Sequence, residues 1–201
     1  MVSGAKPERM HIEMSARIAA CPKDRSRGLT LCEGAASTVN ERGVVGDVTR
    51  IVENHVEVPA AASAVWDRVV HPDGINHEMR PWMTMSMPRG ATGLTVETVP
   101  LGRPVGRAWL RLFGLIPFDF DHLTIVELEA GSRFLERSTM LSMRRWEHER
   151  TLTPVAGGTR VHDRVTLEPR LPIPGLAALL ARVVDAFFKH RHRRLQKYFV
   201  G

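Results

Sequence analysis

Cysteine is scarce: the 201-residue chain has two, Cys21 and Cys32, both in an early stretch without metal-ligand spacing. That excludes a disulfide framework and a zinc module, and it fits a reducing cytoplasm. Aromatic residues make up 6%, with a single tyrosine, so a domain of this size has few bulky rings to fill its interior. No apolar run approaches the length of a membrane span, and the N-terminus has no apolar signal core. Glycines occur in turns, not in a GxGxxG or P-loop pattern, so no nucleotide cofactor is expected. No cofactor or metal of any kind is implied. Lysine is also rare, and the formal charge of +6 comes from arginine. Its densest run, KHRHRR at 189–194, spreads around a helix instead of forming one stripe, and no basic strands interleave with stacking aromatics. Nucleic acid is therefore not an expected partner.

What is present begins at Arg50. Residues 1–48 hold neither period 2 nor period 3.6 and are expected to be a loosely structured leader, with the folded domain at 49–201. RIVENHVEV sets Val52, Val56 and Val58 on one side and Glu53, His55 and Glu57 on the other, a half-buried strand. ASAVWDRVV has helical spacing, HPDG ends it, and a second short helix follows through Ile75 to Met79. Strands are then expected at 83–87, 94–99, 107–113, 118–128, 133–141, 146–153 and 159–168, separated by turn signals such as EAGS and PVAGG. The chain closes on a long helix whose apolar stripe runs through Leu176, Leu180, Val184, Phe187, Phe188, Leu195 and Phe199. The fold class is α+β: a curved antiparallel sheet of about seven strands wrapped around a C-terminal helix.

This order, carried by VPAAASAVWDRVV, RPW, FLERS, RRWEHERTLTPVAGGTRVHDRV and FFKHRHRRL, resembles the START-like SRPBCC superfamily over about residues 50–200. The superfamily holds polyketide cyclase/dehydrase-like and lipid-transfer proteins. The resemblance implies a helix-grip fold and an apolar pocket between sheet and helix.

Two groups of residues are candidates for that pocket. Met83, Met85 and Met87 alternate with Thr84 and Ser86, so one strand face carries three soft, adaptable side chains beside Trp82. Trp109, Phe120, Met140, Trp146, Val184, Phe187 and Phe188 complete the expected apolar lining, and Arg191 interrupts the helix stripe as a polar member. Ordinary core packing is the commoner use of such methionines. The second group is ionisable. A four-residue PVAG loop sets His148 opposite Asp163 on the inward face of the last hairpin, and His122 follows Phe118 and Phe120 at strand period. His148, Asp163 and His122 are therefore the candidate acid/base residues. The competing reading makes His148 and Asp163 a structural pair, with Arg191 snorkelling or meeting an inward acid such as Asp163 or Glu136. Three functions remain open: a binder of a hydrophobic small molecule or lipid, a cyclase/dehydratase-type enzyme using His148 or His122, and an interaction protein with a filled core.

Overall fold

The computed structural model describes residues 49–88, 91 and 98–201. The expected leader at 1–48 and most of the expected strand at 94–99 lie outside the described residues; Thr98 and Val99 form a turn and a bend. Strand β1 (Arg50–Val58) leads into helices α1 (Ala62–Val70) and α2 (Pro72–Met79). Strands β2 (Met83–Met85), β3 (Pro104–Leu112), β4 (Ile116–Glu129), β5 (Arg133–Met140), β6 (Met143–Val155) and β7 (Gly158–Pro169) follow, and helix α3 (Leu176–Val200) ends the chain. The strands form one antiparallel sheet in the order β1-β7-β6-β5-β4-β3-β2. Six strands thus meander outward from β7, and β1 returns to the free edge of β7. The architecture is α+β of the helix-grip kind.

Local chemistry sets the punctuation. Pro72 occupies the first turn of α2, where its missing N–H costs nothing, and the His71 ring accepts from the Asp73 amide at 3.2 Å. Gly74 is required where α2 crosses α1, because a Cβ there would come within 1.7 Å of the Arg68 carbonyl. The β6–β7 hairpin turns on Ala156 and Gly157, with Gly157 at φ 86°. The loop is thus two residues long instead of four. His148 lies across from Val165, and Asp163 lies across from Arg150. Because the slip is by two, every side chain keeps its expected face.

The inward faces of β6, β7 and α3 divide into three layers. At one end Val58, Val65, Trp66, Val69, Leu152, Val161 and Leu195 pack into a filled core under α1. At the other, Val52, Met79, Leu110, Met140, Met143, Val165, Leu167 and Phe188 form a second apolar cluster. Between them each element contributes polar residues: His148 and Arg150 on β6, Asp163 on β7, Arg191 and His192 on α3, all buried.

Candidate functional site

The second cluster encloses a cavity of about 920 Å³ between the sheet and α3. Met83, Met85, Leu110, Met140, Trp146 and Phe187 are among its walls, with Val184, Phe188 and Arg191 on the helix side and Trp82 at the mouth. Trp82 is 52% exposed and stands edge-on to His190, whose ring meets the Arg80 carbonyl at 2.8 Å. The Asn76 side chain fixes the methionine strand by accepting from the Met85 amide at 2.8 Å and donating to its carbonyl at 3.0 Å.

Several expected residues lie elsewhere. The methionine strand stops at Met85, so Met87 leaves the sheet and is 47% exposed. Trp109 is 45% exposed on the outer face, stacked edge-on with Phe120, because its neighbours Ala108 and Leu110 take the inward positions. Phe120 and His122 also point away from the cavity. The cause is a bulge: Leu110 pairs with Asp119 and Arg111 with Pro117, leaving Phe118 as an extra residue. Beyond that bulge the phase of β4 is inverted. Asp119 and Asp121 therefore line the cavity where Phe120 and His122 were expected.

The polar layer at the cavity's inner end is built around Asp163. Its carboxylate receives Arg150 Nε at 2.7 Å and Nη2 at 2.8 Å, His148 Nε2 at 2.7 Å and His192 Nε2 at 2.6 Å. Arg150 also donates to Glu78 at 3.1–3.2 Å, and Arg191 donates to Glu78 from Nε at 3.1 Å. Burial opposes ionisation of Asp163, but the Arg150 charge and the four donors outweigh it and hold the carboxyl well below the usual range. With Asp163 ionised, both histidines present Nε2–H to it. Burial pulls His148 below its ordinary 6.5, keeping the ring neutral between the edges of Phe134 and Phe188. Two guanidiniums thus face two carboxylates, and no histidine charge is needed for balance. His148 and Asp163 are in contact, as one part of this larger network. Arg191 meets neither Asp163 nor Glu136, the acids the sequence suggested, but Glu78.

A second acidic group lies on the sheet wall. Asp119 is fully used: it accepts from the Phe120, Leu141 and Ser142 amides and from the Ser142 hydroxyl, tying the bulge to the β5–β6 turn. Asp121 and Glu136 behave differently. Their carboxyls lie within hydrogen-bond reach of each other, and Ser138 Oγ donates to Glu136 Oε1 at 3.0 Å. Burial, then mutual repulsion, drives Glu136 well above its ordinary value, and burial also raises Asp121. Asp121 Oδ1 is the one buried side-chain polar atom among the described residues without a conventional partner. A proton held on Glu136, the side favoured by burial and by repulsion from Asp121, supplies that partner and makes the two residues an acid–carboxylate pair.

Sequence reasoning missed Glu78, His192, Asp119 and Asp121. Glu78 was readable from Ile75 and Met79, which sit three residues before and one after it on the inward face of α2. His192 was readable from Phe188 and Leu195, four before and three after. The two aspartates were hidden by the bulge.

A family model described as Domain of unknown function (DUF8410) matches residues 56–199. The chain belongs to that family. No curated protein matches it by sequence. Among solved structures, this DUF8410 member is similar to protein CV1439 from Chromobacterium violaceum (TM-score 0.57, 13% identity, 74% of this chain and 96% of that one). It is also similar to a START superfamily protein from Mycobacterium smegmatis (TM-score 0.56, 13% identity, 74% and 96%). A third is the Zhui aromatase/cyclase from Streptomyces sp. R1128 (TM-score 0.56, 14% identity, 75% and 93%). The fold of this DUF8410 chain is START-like, as the resemblance implied. Among the described residues no helix is long and apolar enough to cross a membrane, and no group of side chains has the geometry of a metal site.

Proposed function

We propose that this protein binds a hydrophobic small molecule or lipid in the cavity between its sheet and α3. The observation that carries the reading is the cavity itself: about 920 Å³, walled by methionine, leucine and aromatic side chains, with a few ionisable groups at its inner end. Packed domains leave few voids larger than a water molecule, so a hollow of this size has a use. Flexible methionines on β2, β5 and β6 suit a guest of irregular shape. The likeness to START superfamily and aromatase/cyclase structures supports the same reading at the level of fold.

The test is binding of the fluorescent apolar probe N-phenylnaphthylamine, read on the parent chain and on Val184→Trp, which sets an indole at a position that lines the hollow. The parent is expected to take up the probe, and the variant to lose at least about tenfold in affinity with its thermal unfolding unchanged. A parent that ignores the probe, or a variant that binds it equally well, refutes the proposal. Native mass spectrometry of protein purified from its host is the companion measurement, with a co-purifying apolar guest expected.

A second reading, an enzyme of cyclase/dehydratase type, draws support from His148, a neutral imidazole on the cavity wall. His122 no longer serves it. Turnover abolished in His148→Ala at undiminished ligand affinity would distinguish this reading from simple binding.

A further inference from the structure

We infer that the sheet wall of the cavity is a subsite for a hydroxyl group, so that the guest is an alcohol or phenol with an otherwise apolar body. This rests on the binding reading above and adds the chemistry of the guest's polar end.

Three observations converge on it. First, among the described residues the Asp121–Glu136 pair is the place in the cavity wall where carboxyl groups have neither a cation in direct contact nor a full set of protein donors. Asp163 and Glu78 are saturated by guanidinium and imidazole donors, and Asp119 is saturated by amides and a serine. Glu136 keeps partial exposure while lining the cavity, so it remains accessible to a guest. Sharing a proton, the two carboxyls keep oxygen lone pairs that act toward the guest as acceptors. Second, Arg191 lines the same cavity and lies close enough for its charge to act on Glu136. Its Nε and Nη2 are taken by Glu78, which leaves the Nη1 hydrogens without a protein partner among the described residues. Third, the apolar lining beside the pair is Met140, Phe134, Trp146 and Leu110, and the nearby polar members are already engaged: His148, the cross-strand partner of Glu136, with Asp163, and Ser142 with Asp119.

An acceptor and a donor thus converge from sheet and helix on one side of an apolar chamber. A hydroxyl is the small neutral group that answers both, donating to the carboxyl pair while accepting from the guanidinium. A carboxylate guest meets repulsion from the pair, and an ammonium guest meets Arg191. A methyl ether keeps the oxygen but loses the donated hydrogen, and it leaves a buried charged acceptor unpaired, the situation that sites of this kind reject most strongly.

The experiment compares dodecanol, dodecyl methyl ether, dodecylamine and dodecanoate as displacers of N-phenylnaphthylamine from the full chain at neutral pH. Dodecanol is expected to bind about tenfold or more tightly than the ether, and more tightly than the amine or the carboxylate. The double substitution Asp121→Asn with Glu136→Gln removes the charge at unchanged volume. It should shrink the alcohol-over-ether preference several-fold, with alcohol affinity falling and ether affinity rising as the unpaired acceptor is removed. Equal affinity of alcohol and ether, tighter binding of the amine or the carboxylate, or a preference untouched by the double substitution overturns the hydroxyl subsite and leaves the cavity reading standing. Failure of every dodecyl compound and of the probe to bind overturns the cavity reading, and the subsite with it.

Discussion

The interior of this protein holds two acidic sites that face opposite electrostatic fates. Asp163 sits where β6, β7 and α3 meet, encircled by Arg150, His148 and His192, and its proton is lost well below the ordinary range. Asp121 and Glu136 sit on the cavity wall with a serine and each other in hydrogen-bond contact, and burial raises both above the ordinary range, so the pair keeps a proton between them. Both sites are removed from bulk water, so burial penalises charge at each. The difference is the supply of donors. The first site binds the filled core to the cavity end as a closed network, while the second leaves unmet hydrogen-bonding capacity facing a hollow. A satisfied polar layer specifies structure, and an unsatisfied one invites a guest.

The largest effect that would break this comparison is at the first site. Arg150→Met removes the guanidinium that bridges Asp163 and Glu78, leaving Asp163 with two histidine donors and no cation, and Glu78 with Arg191 alone. The expected cost is roughly 3–5 kcal/mol, which for a domain of this size lowers Tm by about 10 °C. Denaturant or thermal unfolding measures it, and a loss under about 1 kcal/mol would show the network to be incidental.

The next effect is smaller and has the opposite sign. Glu136→Gln gives Asp121 a permanent amide donor and removes a group that folding forces to stay protonated. Native protein binds more protons here than the unfolded chain, so this site costs stability as pH rises above the ordinary glutamate value of 4.5. The variant should match the parent near pH 4.5 and exceed its Tm by about 2–4 °C at pH 8. His148 slopes the other way. Its value is lowered, so the unfolded chain takes up the proton first, and this residue's contribution to stability is lost as pH falls through 6.5. A Glu136→Gln variant less stable than the parent at pH 8 would mean that the pair is not charged in the manner described.

How far each site was legible follows from the regularity of the element that carries it. On β6 and β7 a strict period of 2 places Trp146, His148, Arg150 and Leu152 with Val161, Asp163, Val165 and Leu167 on one face. The pairing register was wrong by two residues, yet His148 and Asp163 still meet because an even slip preserves the face. On β4 the reading failed at one residue. FDFDH offers two phases, and hydrophobicity selects the one with Phe118, Phe120 and His122 inward. Phe118 does line the cavity, but the bulge there inverts the phase beyond it, and nothing local in the sequence marks it. Because that wall borders a cavity, aspartates there cost less than they would in packed core, so the usual rule that the apolar phase faces inward lost its force. On β2 the alternation of Met83, Met85 and Met87 was read one residue pair too far: pairing with β3 ends at Leu110, and Met87 passes into solvent. Long-range partners such as Glu78 with Arg150 span 72 positions, and only the tertiary fold brings them together.

The smallest effect tests whether burial, and not pairing as such, separates strong contacts from weak ones. Across β1 and β7 the outer face carries its own ion pairs, Arg160 with Glu57 at 2.7 Å and Arg164 with Glu53 at 3.0 Å. Their distances match those around Asp163, but the four side chains are between 45% and 56% exposed. In water each charge is already solvated, and holding two long side chains in register offsets what attraction remains. Arg160→Ala should therefore cost under about 0.5 kcal/mol, with the loss shrinking further in salt. Measured beside Arg150→Met, it removes the same kind of charge from the same sheet, at a site open to solvent instead of closed to it. A cost approaching that of Arg150→Met would mean that cross-strand pairing itself, and not the closed interior network, holds the sheet around α3.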